Sequence, residues 1–203
     1  MDEIVKAAIA KWPNVPHCYG WLALDARGQW RMRDERCQAL NLPGDVIRHQ
    51  TLIDFINRNY QCDDQGCWYF QNGPQRVYVE LEATPYIART TENGLQMHTG
   101  KTMPPITAAY LDEIGNMMLV SANILALVDD RDLAEIVNYL SIDGRKPQDE
   151  ELLNWLETSC NSQLLVFNLT NKPDKQIIVQ RGNLLDLLVK AKYVAKPTLR
   201  STN

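Results

Sequence analysis

Four groups of residues have the types and spacing to do chemistry. Arg31 and Arg33 alternate with Trp30 and Met32, so on a strand both guanidiniums leave one polar face. With Arg27, Arg36 or Arg76 nearby in space they could hold a phosphate or carboxylate, because guanidinium is a planar fork of donors that matches either group; a solvated strand face is the competing reading. Trp30, Trp68 and Tyr78 would add apolar area beside them, and with Arg31, Arg33 and Arg76 they form the expected six-residue ligand-binding surface. Asp129-Asp130-Arg131-Asp132 has the look of a metal or acid/base cluster. Consecutive aspartates are also what the positive end of a helix favours, so capping competes with metal binding there. His98 sits at the end of an expected strand, in Met97-His98-Thr99-Gly100, and reads as a surface or hydrogen-bonded residue, with a general base as the alternative. Finally, Cys62 and Cys67 flank a four-residue turn, so their thiols could face each other across adjacent strands. His17 and Cys18 would then complete a zinc set. That spacing departs from the usual C-x2-C and no second pair exists, so packed or semi-exposed thiols are expected and no cofactor is called for.

The familiar catalytic signatures are missing. There is no G-x-x-x-x-G-K-[ST] phosphate loop, no G-x-G-x-x-G dinucleotide fingerprint and no G-x-S-x-G nucleophile elbow. D-x-x-G, which also occurs in GTPases, is found three times, at Asp25-Gly28, Asp63-Gly66 and Asp112-Gly115. Each copy lies between apolar stretches where a hairpin turn is expected: Asp can bond its own backbone and Gly tolerates positive φ. Leu184-Leu185-Asp186-Leu187-Leu188 matches a docking motif in form, but in a helix it reads as a core-facing stripe.

These residues must be positioned by a mixture of strands and helices. Ile4, Val5, Ala8, Ile9 and Trp12 fall at helical spacing after Asp2, a possible cap. Tyr19–Leu24 and Gln29–Met32 read as strands around the first D-x-x-G turn, and Asp45 is placed to cap a helix from Val46 to Tyr60. Val77, Val79 and Leu81 alternate cleanly with Tyr78, Glu80 and Glu82, the clearest strand in the chain. Further helices are expected at Arg131–Leu140, Gln148–Ser159 and Leu184–Tyr193, with a hairpin between them joined across Asn171-Lys172-Pro173-Asp174. Strands and helices run in blocks rather than strict alternation, which favours α+β over a doubly wound sheet.

Length and charge narrow the classes further. The chain has 203 residues, 45% of them hydrophobic, enough for one large domain or two small ones. Its 21 basic and 25 acidic residues leave a net charge of −4, which disfavours general nucleic-acid or anionic-membrane binding. From Asp112 to Glu157 eleven acidic residues face three basic ones, whereas the tail carries Lys190, Lys192, Lys196 and Arg200. No apolar run approaches the roughly 20 residues of a membrane helix. The acidic start lacks a secretory pattern, and five scattered cysteines read as reduced thiols, so a cytoplasmic protein is expected. Eleven of the sixteen aromatic residues precede residue 87, and Lys101-Thr102-Met103-Pro104-Pro105 looks like a break between halves.

Gly20–Gly28, the Phe55–Tyr60 helix end, Trp68–Val79 and Leu127–Leu133 together carry a resemblance. Over roughly residues 1 to 140 the chain resembles a group of conserved proteobacterial proteins known only as domains of unknown function. A related unknown-function family is thought to contain repeated α+β motifs in which curved strands wrap a helix, with a signalling role suggested. The resemblance implies that fold and carries over no catalytic residues.

The expectation is therefore an α+β protein of two intimately packed halves built from repeated hairpins. Its parts are an aromatic-rich half (1–103), a Leu-rich half (104–196) and a mobile tail (197–203). The expected role is non-catalytic: a cytoplasmic binding, regulatory or signalling module for a small anionic ligand or a protein partner, with a homo-oligomer as one form of the latter. The alternative is an enzyme with a non-standard, metal-assisted site near Asp129–Asp132 or His98.

Overall fold

The computed structural model describes residues 2–158, 163–169 and 176–199. The chain divides into two units, Met1–Pro85 with Leu188–Asn203, and Tyr86–Leu187. In the first, α1 (Glu3–Lys11) precedes the hairpin β1 (Cys18–Leu24) and β2 (Trp30–Met32). After it come α2 (Glu35–Ala39), β3 (Asp45–Val46) and α3 (Gln50–Arg58), then the meander β4 (Tyr60–Cys62), β5 (Trp68–Asn72) and β6 (Gln75–Leu81). The sheet order is β3-β2-β1-β6-β5-β4, with β1 and β6 parallel and every other pair antiparallel.

The second unit repeats this plan. Its hairpin is β7 (Tyr86–Thr91) and β8 (Gly94–Met97), and its meander is β9 (Ala108–Leu111), β10 (Met117–Ser121) and β11 (Ile124–Val128). Again the last meander strand runs parallel to the first hairpin strand, β11 beside β7. Next come α4 (Leu133–Ile136) between two 3-10 turns, β12 (Leu140–Ile142), α5 (Asp149–Glu157), β13 (Leu165–Phe167), β14 (Ile177–Arg181) and α6 (Leu184–Lys190). β14 pairs with β9, extending this sheet to eight strands. The chain returns to the first unit at Leu188, within α6, whose Leu187 and Leu188 are buried. Two mixed sheets with helices grouped between blocks of strands make this an α+β fold, as expected. Among the described residues no helix is long and apolar enough to cross a membrane.

Strand alternation decides which side chains meet in the first unit. Leu22, Leu24, Trp30, Phe70, Val79 and Leu81 are buried, together with Val5 of α1 and Ile56 of α3. Trp30 packs edge-on to Tyr60 at 5.1 Å, and Phe55 of α3 packs edge-on to Phe70 at 5.3 Å. The second unit's core gathers Ala88, Met117, Leu119, Ala126, Ile136, Ile142, Leu165 and Phe167.

Three helices differ from expectation. Asp45 does not cap a helix at Val46, because both residues pair with β2 as an edge strand and the Ile47 amide donates to Trp30 O at 2.8 Å. α3 starts later, capped by His49, whose Nδ1 accepts the Leu52 amide. β-branched Val46 and Ile47 suit the sheet better than a first helical turn. α2 lies outside the expected helices; Asp34 caps it by accepting the Cys37 amide at 2.7 Å. The segment Arg131–Leu140 is broken into 3-10, α and 3-10 turns, since only Ile136 is buried from the α4 stretch and Leu140 is drawn into β12. β13 and β14 do pair antiparallel, although Asn171–Asp174 lie outside the described residues, as do Ser159 and Cys160.

Candidate functional site

The three D-x-x-G segments form one repeated structure. In each, the Asp amide donates to the carbonyl four residues on (3.1, 3.0 and 3.1 Å) and the Gly amide donates back to Asp O (3.0, 3.1 and 3.2 Å). The Asp Oδ1 accepts two further amides, those of Arg27 and Gln29, of Gln65 and Cys67, and of Ile114 and Asn116. One carboxylate oxygen is thus consumed by the turn itself, and Oδ2 is left for tertiary use. Asp25 Oδ2 accepts Arg31 Nε at 2.8 Å, Asp63 Oδ2 accepts the Tyr78 hydroxyl at 3.0 Å, and Asp112 Oδ2 accepts Asn116 Nδ2 at 2.8 Å. In the first unit, then, two turns reach onto the polar side of the sheet, where Arg31 and Tyr78 lie.

The expected six-residue surface does not form. Register places Ala23 opposite both Arg31 and Glu80, and Tyr69 opposite Tyr78, so Arg31, Glu80, Tyr69 and Tyr78 share a face. Trp30 and Trp68 occupy the opposite, core face at 2% and 5% exposure and cannot line a site with the arginines. The polar residues separate into two clefts.

The smaller cleft, about 190 Å³, contains Arg31 and Arg33 with Asp25, Glu80 and Lys196. Both guanidiniums are already engaged. Arg31 binds Asp25 and donates to Gly44 O at 3.1 Å. Arg33 is buried, ion-paired with Glu80, and donates to Leu42 O at 3.0 Å and Cys37 O at 3.4 Å. Its donors hold the α2 connection to the sheet.

The larger cleft, about 360 Å³, is lined by Tyr19, Asp63, Asp64, Cys67, Arg76 and Tyr78, and by Thr198 and Leu199 of the tail. Arg76 is half-buried with its guanidinium 4.6 Å from the Tyr69 ring centroid, and among the described residues it makes no ion pair. The Tyr78 hydroxyl donates to Asp63 Oδ2, and Arg76 lines the same cleft. Burial is the main cause that pushes the Tyr78 phenol up to about 12, so it stays a neutral hydroxyl. Tyr19 stacks on Tyr78 at 4.6 Å with 7° between the planes, and His17 meets Tyr78 edge-on at 5.8 Å. The alternation of β6 places Arg76 beside Tyr78 in the sequence already. Tyr19, Asp63 and Asp64 carry no such signal, because only sheet pairing and the turn's spare oxygen bring them there.

The other expected centres are occupied differently. Asp129 is buried, its carboxylate held by the Arg131 amide and guanidinium, and Arg89 Nε lies 3.6 Å from both Asp129 and Asp132. Burial opposes the charge on Asp129, but the Arg131 hydrogen bonds outweigh it and hold the carboxyl below its ordinary range. Asp132 accepts the Thr90 amide at 2.8 Å, so the group fastens β7 as well as capping the 3-10 turn. The cysteine pair does not face across the hairpin: Cys62 lies opposite Trp68, while Asp63 is the residue bonded to Cys67. Cys62 donates to Asp63 O at 3.4 Å, and burial pushes its thiol up to about 11. Cys18 is paired in the sheet with Val77. Among the described residues, no group of three or more His, Cys, Asp or Glu is placed to hold a metal ion.

His98 is a structural acceptor. Its Nδ1 receives the Ile87 amide at 3.2 Å, its ring lies 5.9 Å from that of Tyr86, and burial lowers its pKa to about 3. The folded state therefore prefers neutral imidazole, while the unfolded chain protonates near pH 6.5. Stability from this residue is full above pH 6.5 and falls as the pH drops from there toward 3. Between pH 7 and pH 5 the loss is about 2 kcal/mol. His98→Asn, which keeps an acceptor for Ile87, will flatten that part of a denaturation-versus-pH curve; an unchanged slope would assign it to other groups.

No curated protein matches. A DUF1285 family protein from Silicibacter pomeroyi DSS-3 shares 13% identity at a TM-score of 0.45, covering 71% of this chain and 87% of that one. A second, from Shewanella baltica OS155, shares 11% identity at 0.38, covering 58% and 91%. The family profile DUF2944, described as "Protein of unknown function (DUF2946)", matches residues 1–197. The chain belongs to that family of unknown function.

Proposed function

We propose that this protein is a non-catalytic, cytoplasmic binding module that takes a small ligand through an anionic group at Arg76. The observation that carries this reading is the contrast among the arginines. Arg31 and Arg33 are tied to Asp25 and Glu80, whereas Arg76 stands in a cleft, over the Tyr69 ring, with no ion pair among the described residues. A guanidinium resting over a ring has already lost part of its freedom, so a carboxylate or phosphate can be met at low entropic cost. The cleft's size falls within the range of small-molecule sites. The free thiols of Cys18, Cys37, Cys62 and Cys67 suit a reducing compartment.

The test is a chemical-shift titration at low ionic strength with N-acetylglycine and with inorganic phosphate. At least one should give saturable shifts centred on the amides of Tyr19, Gln65, Cys67 and Tyr78. Arg76→Met should weaken that binding about tenfold or more, the value of a charge-assisted hydrogen bond, without lowering the melting temperature. Shifts spread over the surface, or insensitive to Arg76→Met, would overturn the reading.

A further inference from the structure

The charge around Arg76 says more about the ligand. Asp63 and Asp64 line the same cleft, so its three charged side chains sum to one net negative charge at neutral pH. A simple anion would meet that acidic pair as well as the guanidinium. Asp63 Oδ2 is committed to the Tyr78 hydroxyl, but the exposed Asp64 makes no ion pair among the described residues. Arg76 and Asp64 line the same cleft without pairing with each other. An open positive group and an open negative group, separated across one concavity, are complementary to a ligand carrying both charges.

We propose that the cleft binds a compact zwitterion of the α-amino acid type. Its carboxylate meets Arg76, its ammonium meets Asp64 with help from Asp63, and its side chain lies against the Tyr19–Tyr78 stack and Leu199. The inference rests on the anionic-group reading above and adds a cationic partner to it. The two charged contacts lie on different strands or turns, Arg76 on β6 and Asp64 in the β4–β5 hairpin, so a ligand spanning them is read by distance as well as by sign.

The experiment is calorimetric titration at pH 7 with three matched series built on alanine, leucine and phenylalanine: the free amino acid, its N-acetyl derivative and its amide. These present a zwitterion, an anion and a cation on the same side chain. At least one free amino acid is expected to bind tenfold or more tightly than both of its derivatives. Asp64→Asn should erase the preference over the N-acetyl form, and Arg76→Met should abolish binding of both. If an N-acetyl derivative binds as well as its parent amino acid and still needs Arg76, the zwitterion is wrong and the anionic-group reading stands. If no amino acid or derivative binds, and phosphate gives no shifts, both fall.

Discussion

Gly66→Ala will be among the most damaging single-methyl changes in the chain, lowering stability by about 3 kcal/mol or more. A Cβ built at Gly66 lands 1.7 Å from Lys192 O, and the residue has a φ of +80°. The contact is backbone against backbone, so no side chain can rotate away, and the segment from Lys192 onward must shift. That shift threatens several interactions together: the Val194 amide to Gly66 O at 2.9 Å, the Leu81 amide to Ala195 O at 2.8 Å, and the edge-on contact of Tyr193 with Trp68 at 5.5 Å. Each hydrogen bond contributes about 1 kcal/mol, and the left-handed conformation costs a side chain about 1 more. Gly115 is the internal control. It closes an identical turn at φ +86°, but its Cβ would meet only Leu156 Cδ1 at 4.0 Å. Gly115→Ala should therefore cost about 1 kcal/mol, the conformational part alone. Urea denaturation of the two variants measures the difference directly. Equal losses would show that the tail's approach to Gly66 contributes nothing.

Arg33→Met should cost nearly as much, about 2–3 kcal/mol, although Arg33 looks from the sequence like a ligand contact. Its side chain is 5% exposed and ends on Glu80, Leu42 O and Cys37 O. Removing it leaves a carboxylate and two carbonyls facing a methyl group. Glu80 is 22% exposed and can recover some water, which keeps the loss below that of a fully buried pair. Glu80→Gln in the same background should restore part of the stability, because the stranded charge disappears. A double-mutant cycle reads that coupling. If Arg33→Met leaves the denaturation midpoint in place, the pair is a surface ornament and Arg33 is free to meet a ligand after all.

The same two cases show where sequence reasoning reaches its end. D-x-x-G turns are local: the Asp side chain bonds amides two and four residues on, so four letters contain nearly all the interactions that define them. The alternation of Arg31 and Arg33 with Trp30, and of Tyr78 and Glu80 with Val79, is equally local, and both patterns appear in the sheet. Placing Trp30 and Trp68 on the ligand surface failed for a related reason. Alternation assigns them to the face opposite the arginines, where both rings are buried and pack against Tyr60. Arg76 and Tyr78 were legible as a pair, whereas Tyr19 and Asp64 entered the cleft only through strand pairing and turn placement.

The sequence by itself determined the turns, the polar and apolar faces of each strand, most of the helices and the α+β class, because these depend on residues within a few positions of one another. Tertiary structure alone decided which arginine is left open. Arg33 is neutralised by a glutamate 47 residues away, Arg31 by the spare oxygen of a turn, and Arg76 by neither. The Arg33–Glu80 pair follows from parallel pairing of β1 with β6, a long-range register that no local pattern encodes, whereas Arg31 meets Asp25 within its own hairpin. The chemistry available to this protein was written in residue types, and its assignment was made by which strands became neighbours.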